Sequence, residues 1–354
     1  MGARLVSQRR VGIRATIHDV AAQAGVSKSL VSLVLRDQPY VSAEKREAVL
    51  RAVDELSYRP NSVARSLASR HTHTIGVLVL DLHNPVFVEI LDGLHSGADD
   101  PHLTTLLVSA GGDSERERRL VLSLLDLQVD GLVLVGHRLT TETVTQVMAE
   151  KPVVVVTRRD VRRRGLDTVC NDDRAGAGLA VAHLVELGHR NIWHLDGGRS
   201  AVAQDRRLGY QDAMQTHGLG AHTTVVGAGF SDDAGWQAAG AVLDAGERPT
   251  ALFVANDFSA LGAVARLEQA GVRVPADISV VGYDGMALAA MRRIDLTTVA
   301  QPLHAMGLLA ARMLSARIQD PTRRARNTVL RPALIARSSS AGPPATADAR
   351  SRER

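Results

Sequence analysis

The sequence predicts an α/β protein in two parts: a small all-α head of the helix-turn-helix type, followed by a two-lobed core with parallel sheets. The first observation is a set of short helical patterns around a Gly-containing turn within the first 60 residues. The second is a change of texture from Thr74 on, where apolar runs of strand length alternate with helical patterns. The third is length, because the 354 residues exceed one usual domain.

The head is predicted over residues 16–60, after a basic and flexible N-terminal segment of residues 1–15. Thr16 suits an N-cap, and Asp19 three positions later makes a variant of the capping box. A turn at Gly25 separates this helix from a second one that begins at Ser27, and Ser42 begins a third. Apolar residues at helical spacing predict the inner faces of the three helices: Ile17, Val20, Ala21, Ala24, Leu30, Val31, Val34, Val49, Val53 and Leu56.

The core is predicted over residues 74–337, after a hinge of residues 61–73. Residues 61–69 of this hinge could form one or two helical turns, which are too short and too polar to be stable alone. Predicted strands are 75–80, 105–109, 131–135, 153–157, 191–195, 251–255 and 278–283, with late strands at 297–299 and 329–337. Helical patterns lie between them, as at 176–187 and 259–270. This alternation is typical of parallel sheets covered on both faces. Residues 338–354 are rich in Ser, Ala, Pro and Arg and are predicted as a disordered basic tail.

The charge is unevenly distributed along the chain. Residues 1–70 hold 12 Lys/Arg against 6 Asp/Glu, whereas residues 71–316 hold 21 against 29. A basic head on an acidic body indicates a polyanionic partner for the head. Cys170 is the single cysteine, which fits a reducing compartment. With no membrane-spanning apolar run and no secretory signal in the sequence, we expect a cytoplasmic protein with no membrane contact.

The second helix of a helix-turn-helix enters the major groove of DNA by its N-terminal residues. Lys28 can donate to guanine, serines can contact base edges or phosphates, and Leu33 can contact a thymine methyl group. The predicted DNA-reading residues are therefore Ser27, Lys28, Ser29, Ser32 and Leu33. The alternative is a small helical domain with a solvated face, which the basic charge disfavours.

Residues 16–32, 41–44 and 58–68 resemble the signature of the lactose-repressor (LacI/GalR) family, and the similarity extends to about residue 337. The resemblance implies a transcription repressor whose binding to operator DNA is controlled by a small-molecule effector. We expect a homodimer on a palindromic site, because one short head offers few base contacts. The implied phosphate-contacting residues are Thr16, Ser27, Ser32, Ser42 and Asn61.

Three leucines of the head and hinge bear on the contacts with DNA. The resemblance implies that Leu67 inserts into a minor-groove base step and kinks the DNA, although it could instead pack the hinge against the head. Leu33 stands where the family often carries arginine, so the operator sequence cannot be taken from better-known relatives. Leu30 replaces a common threonine and could belong to the core of the head.

The resemblance also implies a core like that of periplasmic sugar-binding proteins, with the effector between the lobes at the carboxyl ends of the strands. Arg206 and Asp284 match the ligand-contacting arginine and aspartate of the family, and Asn256 matches its amide-bearing position. The remaining effector-site residues are predicted to be Phe230 as a stacking aromatic, Phe87 as a second pocket aromatic and Asp81 as a hydroxyl acceptor.

Each of these assignments has an alternative. Arg206 and Asp284 could form a structural ion pair, and the two phenylalanines could be core residues. Asn256 or Asp257 could cap the following helix, with Asp257 favoured. Two positions depart from the family. Thr157 stands where many relatives carry Asp. Val86 replaces an aromatic found in relatives that bind flat bases, and this second departure favours a sugar as the effector.

The sequence does not favour an enzyme, and neither a cofactor nor a metal is expected. It contains no phosphate-binding GxxxxGK[ST] motif and no GxSxG motif. Gly176 and Gly178 resemble a dinucleotide motif only weakly, because they lie within a helical pattern. Two alternatives stay open: a free-standing sugar-binding receptor, which would need an export signal, and an α/β sugar-acting enzyme, which would need a catalytic constellation.

Overall fold

The computed structural model describes residues 15–35, 38–58, 71–98, 103–161 and 163–344. The chain divides into two compact units with the boundary between Thr72 and His73. No helix within these described ranges is long and apolar enough to cross a membrane. Likewise, the described residues include no group of three or more His, Cys, Asp or Glu that could hold a metal ion.

The first unit contains three helices: α1 (Ile17–Ala24), α2 (Lys28–Leu35) and α3 (Ala43–Glu55). Thr16 and Asp19 form a capping box, in which the Thr16 amide donates to Asp19 Oδ2 over 2.7 Å. Gly25 ends α1 with φ of 66°, a left-handed conformation that favours glycine. The helices enclose a core of Val20, Ala21, Val31, Val34, Val49 and Ala52. The predicted three-helix head is therefore confirmed.

The first lobe of the second unit is a six-stranded sheet with the strand order β11-β5-β4-β3-β1-β2, all parallel. Its strands are β1 (Thr74–Val79), β2 (Thr104–Ser109), β3 (Gly131–Val135), β4 (Val153–Val156), β5 (Asp167–Asn171) and β11 (Asn327–Leu330). Its helices are α4 (Pro85–Ser96), α5 (Ser114–Asp126), α6 (Thr141–Glu150) and α11 (Leu303–Gln319). Apolar side chains cover both faces of this sheet.

The second lobe is a six-stranded sheet with the order β12-β10-β9-β8-β6-β7, in which only β12 is antiparallel to its neighbour. Its strands are β6 (Ile192–Asp196), β7 (Thr224–Gly227), β8 (Ala251–Val254), β9 (Ser279–Asp284), β10 (Thr297–Ala300) and β12 (Ala333–Ile335). Its helices are α7 (Asp173–Glu186), α8 (Ala201–Thr216), α9 (Asp232–Leu243) and α10 (Asp257–Gln269).

The chain passes between the lobes three times, after β5, after β10 and after β11. In each case it leaves the carboxyl end of a strand in one lobe and enters the other. The carboxyl ends of both sheets consequently face the junction of the lobes, which is where open α/β sheets bind ligands. The predicted fold class, a helical head with a two-lobed parallel α/β core, is confirmed.

Several predicted segments differ from the structure. The predicted late strand at 329–337 is two short strands, β11 and β12, in different lobes. Two strands, β5 and β7, were not predicted. The predicted disordered tail begins too early, because Ser339 is buried and its hydroxyl donates to the Val280 carbonyl over 2.7 Å. Residues 338–344 therefore pack on the second lobe.

Candidate functional site

The first candidate surface is the exposed start of α2 in the head. Its exposed side chains are those of Ser27, Lys28, Ser29 and Leu33, and Ser32 beside them is half-buried. Val31 and Val34 on the opposite side of the helix are buried in the head's core. The predicted reading residues thus share one solvent-facing side of a helix whose other side holds the fold together.

Three hydroxyl residues predicted to contact phosphates lie at helix starts. The Thr16 hydroxyl donates to Asp19 over 2.7 Å, and the Ser27 hydroxyl accepts from the Leu30 amide over 3.3 Å. Ser42 precedes α3 but makes no side-chain capping bond within the described head. Leu30 is half-buried against the head's core, which agrees with the interpretation of Leu30 as a core residue of the head. Asn61 and Leu67 lie outside the described residues.

The second candidate site surrounds Arg206 on α8. Its Nε donates to Asp173 Oδ1 over 2.9 Å, and its NH2 group lies 3.2 Å from Asp284 Oδ1. Another guanidinium nitrogen donates to the Ala255 carbonyl, and the guanidinium stacks on Tyr283 at 3.7 Å from the ring centroid. Burial alone would lower the pKa of Arg206, but Asp173 and Asp284 outweigh it and raise that pKa. The arginine is therefore held in one orientation as a permanent cation.

Two buried carboxylates stand at this end of the second lobe. Asp284 ends β9 with φ of 109°, a strained conformation for a residue with a side chain, and it accepts from Gln301 Nε2 over 2.7 Å. Asp257 accepts from the Thr298 hydroxyl over 2.6 Å and from the Met286 amide over 2.8 Å. Burial raises the pKa of Asp284 to about 6, and burial together with the charge of Asp284 raises the pKa of Asp257 to about 7.

Phe230 and Asn256 join the same cluster. The Phe230 ring lies over Arg206 at 5.8 Å and closes against Gly197, where a Cβ atom would stand 2.3 Å from the ring. Asn256 is fully buried, donates to the Phe230 carbonyl over 3.0 Å and accepts from the Ser259 amide over 2.9 Å. Asn256 is thus the N-cap of α10, so favouring Asp257 as the cap was wrong. Its predicted contact with an effector stays a prediction.

The two remaining predicted residues belong to the first lobe. Asp81 follows β1, is partly exposed, and accepts from the His83 amide over 2.9 Å. Phe87 is only 7% exposed and belongs to a buried cluster of first-lobe residues that also includes Met286, and its predicted contact with an effector stays a prediction. Arg206, Phe230, Asn256 and Asp284 therefore form one connected cluster in the second lobe, and Asp81 and Phe87 are not part of it.

Three residues of this cluster were not predicted as site residues from the sequence. Asp173 pairs with Arg206, and the Asn171 amide donates to the Tyr283 hydroxyl over 2.8 Å. Asn171 ends β5 of the first lobe, so this bond joins the two lobes at a crossing of the chain. The paired acids Asp172 and Asp173 at a strand-to-helix junction were the available signal.

Comparison with known proteins adds to this geometry. Residues 16–61 match the family described as bacterial regulatory proteins, lacI family, and residues 181–340 match the periplasmic binding protein-like domain. The ribose operon repressor of Haemophilus influenzae is 34% identical over 327 residues, which are 92% of this chain and 98% of that repressor. The chain belongs to the lacI family of bacterial regulatory proteins.

Solved structures show the same architecture. A lac repressor dimer bound to operator and the anti-inducer ONPF is 31% identical, with a TM-score of 0.84 over 93% of this chain and 100% of that one. A complex of the transcriptional regulator CelR with cellobiose is 30% identical, with a TM-score of 0.69 over 92% of this chain and 100% of that one. This lacI-family chain is a transcriptional regulator and not an enzyme.

Proposed function

We propose that this lacI-family chain is a cytoplasmic repressor that binds a palindromic operator as a homodimer and responds to a small sugar. The observation that carries the DNA-binding part is the exposed side of α2, with Lys28 at its first position. A helix N-terminus with free amides favours phosphate, and a lysine there can reach base edges. In the operator-bound lac repressor structure a chain of the same architecture binds DNA as a dimer. Asn61 and Leu67 keep the roles that the resemblance implies.

Selection of duplexes from a random pool by the purified full chain tests this proposal. We expect enrichment of an inverted repeat whose binding survives excess non-specific DNA. Lys28→Ala should weaken operator binding by about 5–150-fold, because a specific base contact contributes about 1–3 kcal/mol. Lys45→Ala removes the same charge from α3 and should leave the selected sequence unchanged. A pool without any enriched sequence would refute sequence-specific binding.

The effector part of the proposal rests on the cluster around Arg206. A sugar needs planar groups for its hydroxyls and an aromatic face for its apolar side, and Arg206, Asp284 and Phe230 supply both. Because Arg206 and Asp284 are almost fully buried, a ligand reaches them only if packing at the junction of the lobes opens. Binding would thereby be coupled to lobe movement and so to operator affinity.

A thermal-shift screen of neutral pentoses, hexoses and cellobiose tests the effector. A sugar that binds the folded protein raises its unfolding temperature by mass action. We expect the sugar with the largest shift to change operator affinity by roughly 5–150-fold, the usual range of allosteric coupling. A sugar that stabilises the protein without changing operator affinity would contradict the regulatory role.

A further inference from the structure

The positive charge of Arg206 is more than compensated by carboxylates of the protein itself. The side chains of Arg206, Asp173 and Asp284 are 3%, 4% and 5% exposed, so all three charges are withdrawn from water. One guanidinium faces two carboxylates, which leaves the group with a net negative charge. In such a site an unpaired charge is costly, so the charge of an incoming ligand strongly affects its affinity.

Asp173 is placed to pair with the Arg206 guanidinium permanently. It is the first residue of α7, where the helix dipole stabilises an anion, and its Oδ1 accepts from Arg206 Nε. The Asn171 amide donates to the same oxygen over 3.3 Å. An unpaired arginine would offer its fork of donors to phosphate or carboxylate, but here Asp173 and Asp284 fill those positions.

Three other arginines near strand ends are paired with neighbouring carboxylates. Arg158 pairs with Asp160, Arg159 lies 3.3 Å from Asp172, and Arg207 pairs with Asp196. None of these three supplies an uncompensated cation for an anionic ligand.

We propose that Asp173 is a specificity-determining residue of the effector site, which makes the site select uncharged polyhydroxy ligands over phosphorylated or carboxylate-bearing ones. This inference rests on the proposed function, because it takes Arg206 and Asp284 as effector contacts. Asp173 acts on selectivity by holding the guanidinium and by repelling a second anion beside it.

The test compares matched ligand pairs on the wild-type chain and on two variants. The probes are D-ribose with ribose 5-phosphate, D-glucose with glucose 6-phosphate, and cellobiose, with affinities measured by calorimetry at constant ionic strength. Asp173→Asn keeps the size of the side chain and an oxygen for Arg206 Nε but removes the charge. Asp172→Asn is the matched control, because Asp172 caps α7 and pairs with Arg159 but lies outside the Arg206 cluster.

We expect the wild-type chain to bind a neutral sugar at least about tenfold more tightly than its phosphate, from a charge repulsion of about 1.4 kcal/mol or more. In Asp173→Asn that preference should fall by about tenfold, because one of the two carboxylates is gone. Asp172→Asn should keep the wild-type preference. Each variant's unfolding transition and operator binding show that it is folded.

Three outcomes count against the inference. Tighter binding of a sugar phosphate than of its neutral sugar by the wild-type chain overturns the inference. An equal preference for the neutral sugar in Asp173→Asn and Asp172→Asn also overturns it. If no sugar of the panel binds, the sugar effector of the proposed function falls and this inference falls with it.

Discussion

At the scale of single residues, the buried carboxyl of Asp257 gives the clearest dependence on pH. Its pKa in the folded protein, about 7, is above the ordinary value of 3.8, so the folded protein holds this proton more tightly than the unfolded chain. The free energy of unfolding should therefore fall as pH rises from about 4 to about 7. A shift of one pKa unit corresponds to about 1.4 kcal/mol, so the loss is on the order of 2–4 kcal/mol.

Asp257→Asn should remove that loss, because its amide can still accept from Met286 and can donate to Thr298. Urea unfolding of the wild-type chain and the variant at pH 5 and pH 8 measures the difference, and the titrating groups that do not interact with Asp257 cancel in the comparison. Asp284 interacts with Asp257, so its titration contributes to the same difference. An identical pH dependence for both proteins would show that Asp257 is ionised throughout.

Arg206 is the second residue whose removal is predicted to have a large effect. Arg206→Ala leaves Asp173 and Asp284 buried without their cation, which should cost on the order of 3–5 kcal/mol. Arg174→Ala breaks an ion pair with Asp212 in which both side chains are 52% exposed, so it should change the free energy of unfolding very little. Urea unfolding compares the two variants, and the sugar-induced thermal shift should vanish only in the first. Wild-type stability and a retained shift in Arg206→Ala would show that the site lies elsewhere.

The candidate site could be predicted from the sequence only where residue type and strand position sufficed. Arg206, Phe230, Asn256 and Asp284 do meet in one cluster, but Asp173 was missed because its partner is 33 positions away. The role of Phe87 stays open, since neither its sequence position nor its burial distinguishes a pocket aromatic from a core one.

At the scale of elements, pairs of helices pack so closely that glycines are needed. A Cβ atom at Gly307 of α11 would lie 1.9 Å from the Ile90 carbonyl oxygen of α4. Gly307→Ala should therefore push the helices apart and lower the free energy of unfolding by about 1–3 kcal/mol or more. Gly178 of α7 has open space around its Cβ position, so Gly178→Ala should instead stabilise by about 0.5–1 kcal/mol. Urea unfolding of both variants measures this, and equal effects would contradict the close packing.

The bounds of the apolar strands were predicted within one residue, because the pattern of apolar residues that marks a strand is local. The strand β5 was missed because it carries Asp167, a buried charge satisfied by Arg317 from a distant helix over 2.6 Å. Residues 338–344 were misassigned for the same reason, since their serine-rich composition indicates disorder while Ser339 bonds to Thr297 over 2.8 Å. Long-range polar partners cannot be read from a local pattern.

At the scale of the whole molecule, one head has a single short helix with about five side chains available to read DNA. Regulators bind their specific sites about 10³–10⁷-fold more tightly than random DNA, and the base contacts of one such helix are too few to give that ratio. Two heads on two half-sites supply it, since half-site energies add when both are held on one body. A palindromic site then reflects the two-fold symmetry of the protein.

We therefore expect two chains per selected operator, and a dimer of the free protein at micromolar concentration. Sedimentation equilibrium with the full palindrome, with a duplex that keeps one half-site, and without DNA measures the stoichiometry. The single half-site should bind at least about tenfold more weakly, because the second head then meets only non-specific DNA, held mainly by phosphate contacts. A single chain per palindrome, with equal affinity for the half-site, would mean that one head reads the operator alone and that the homodimer proposal is wrong.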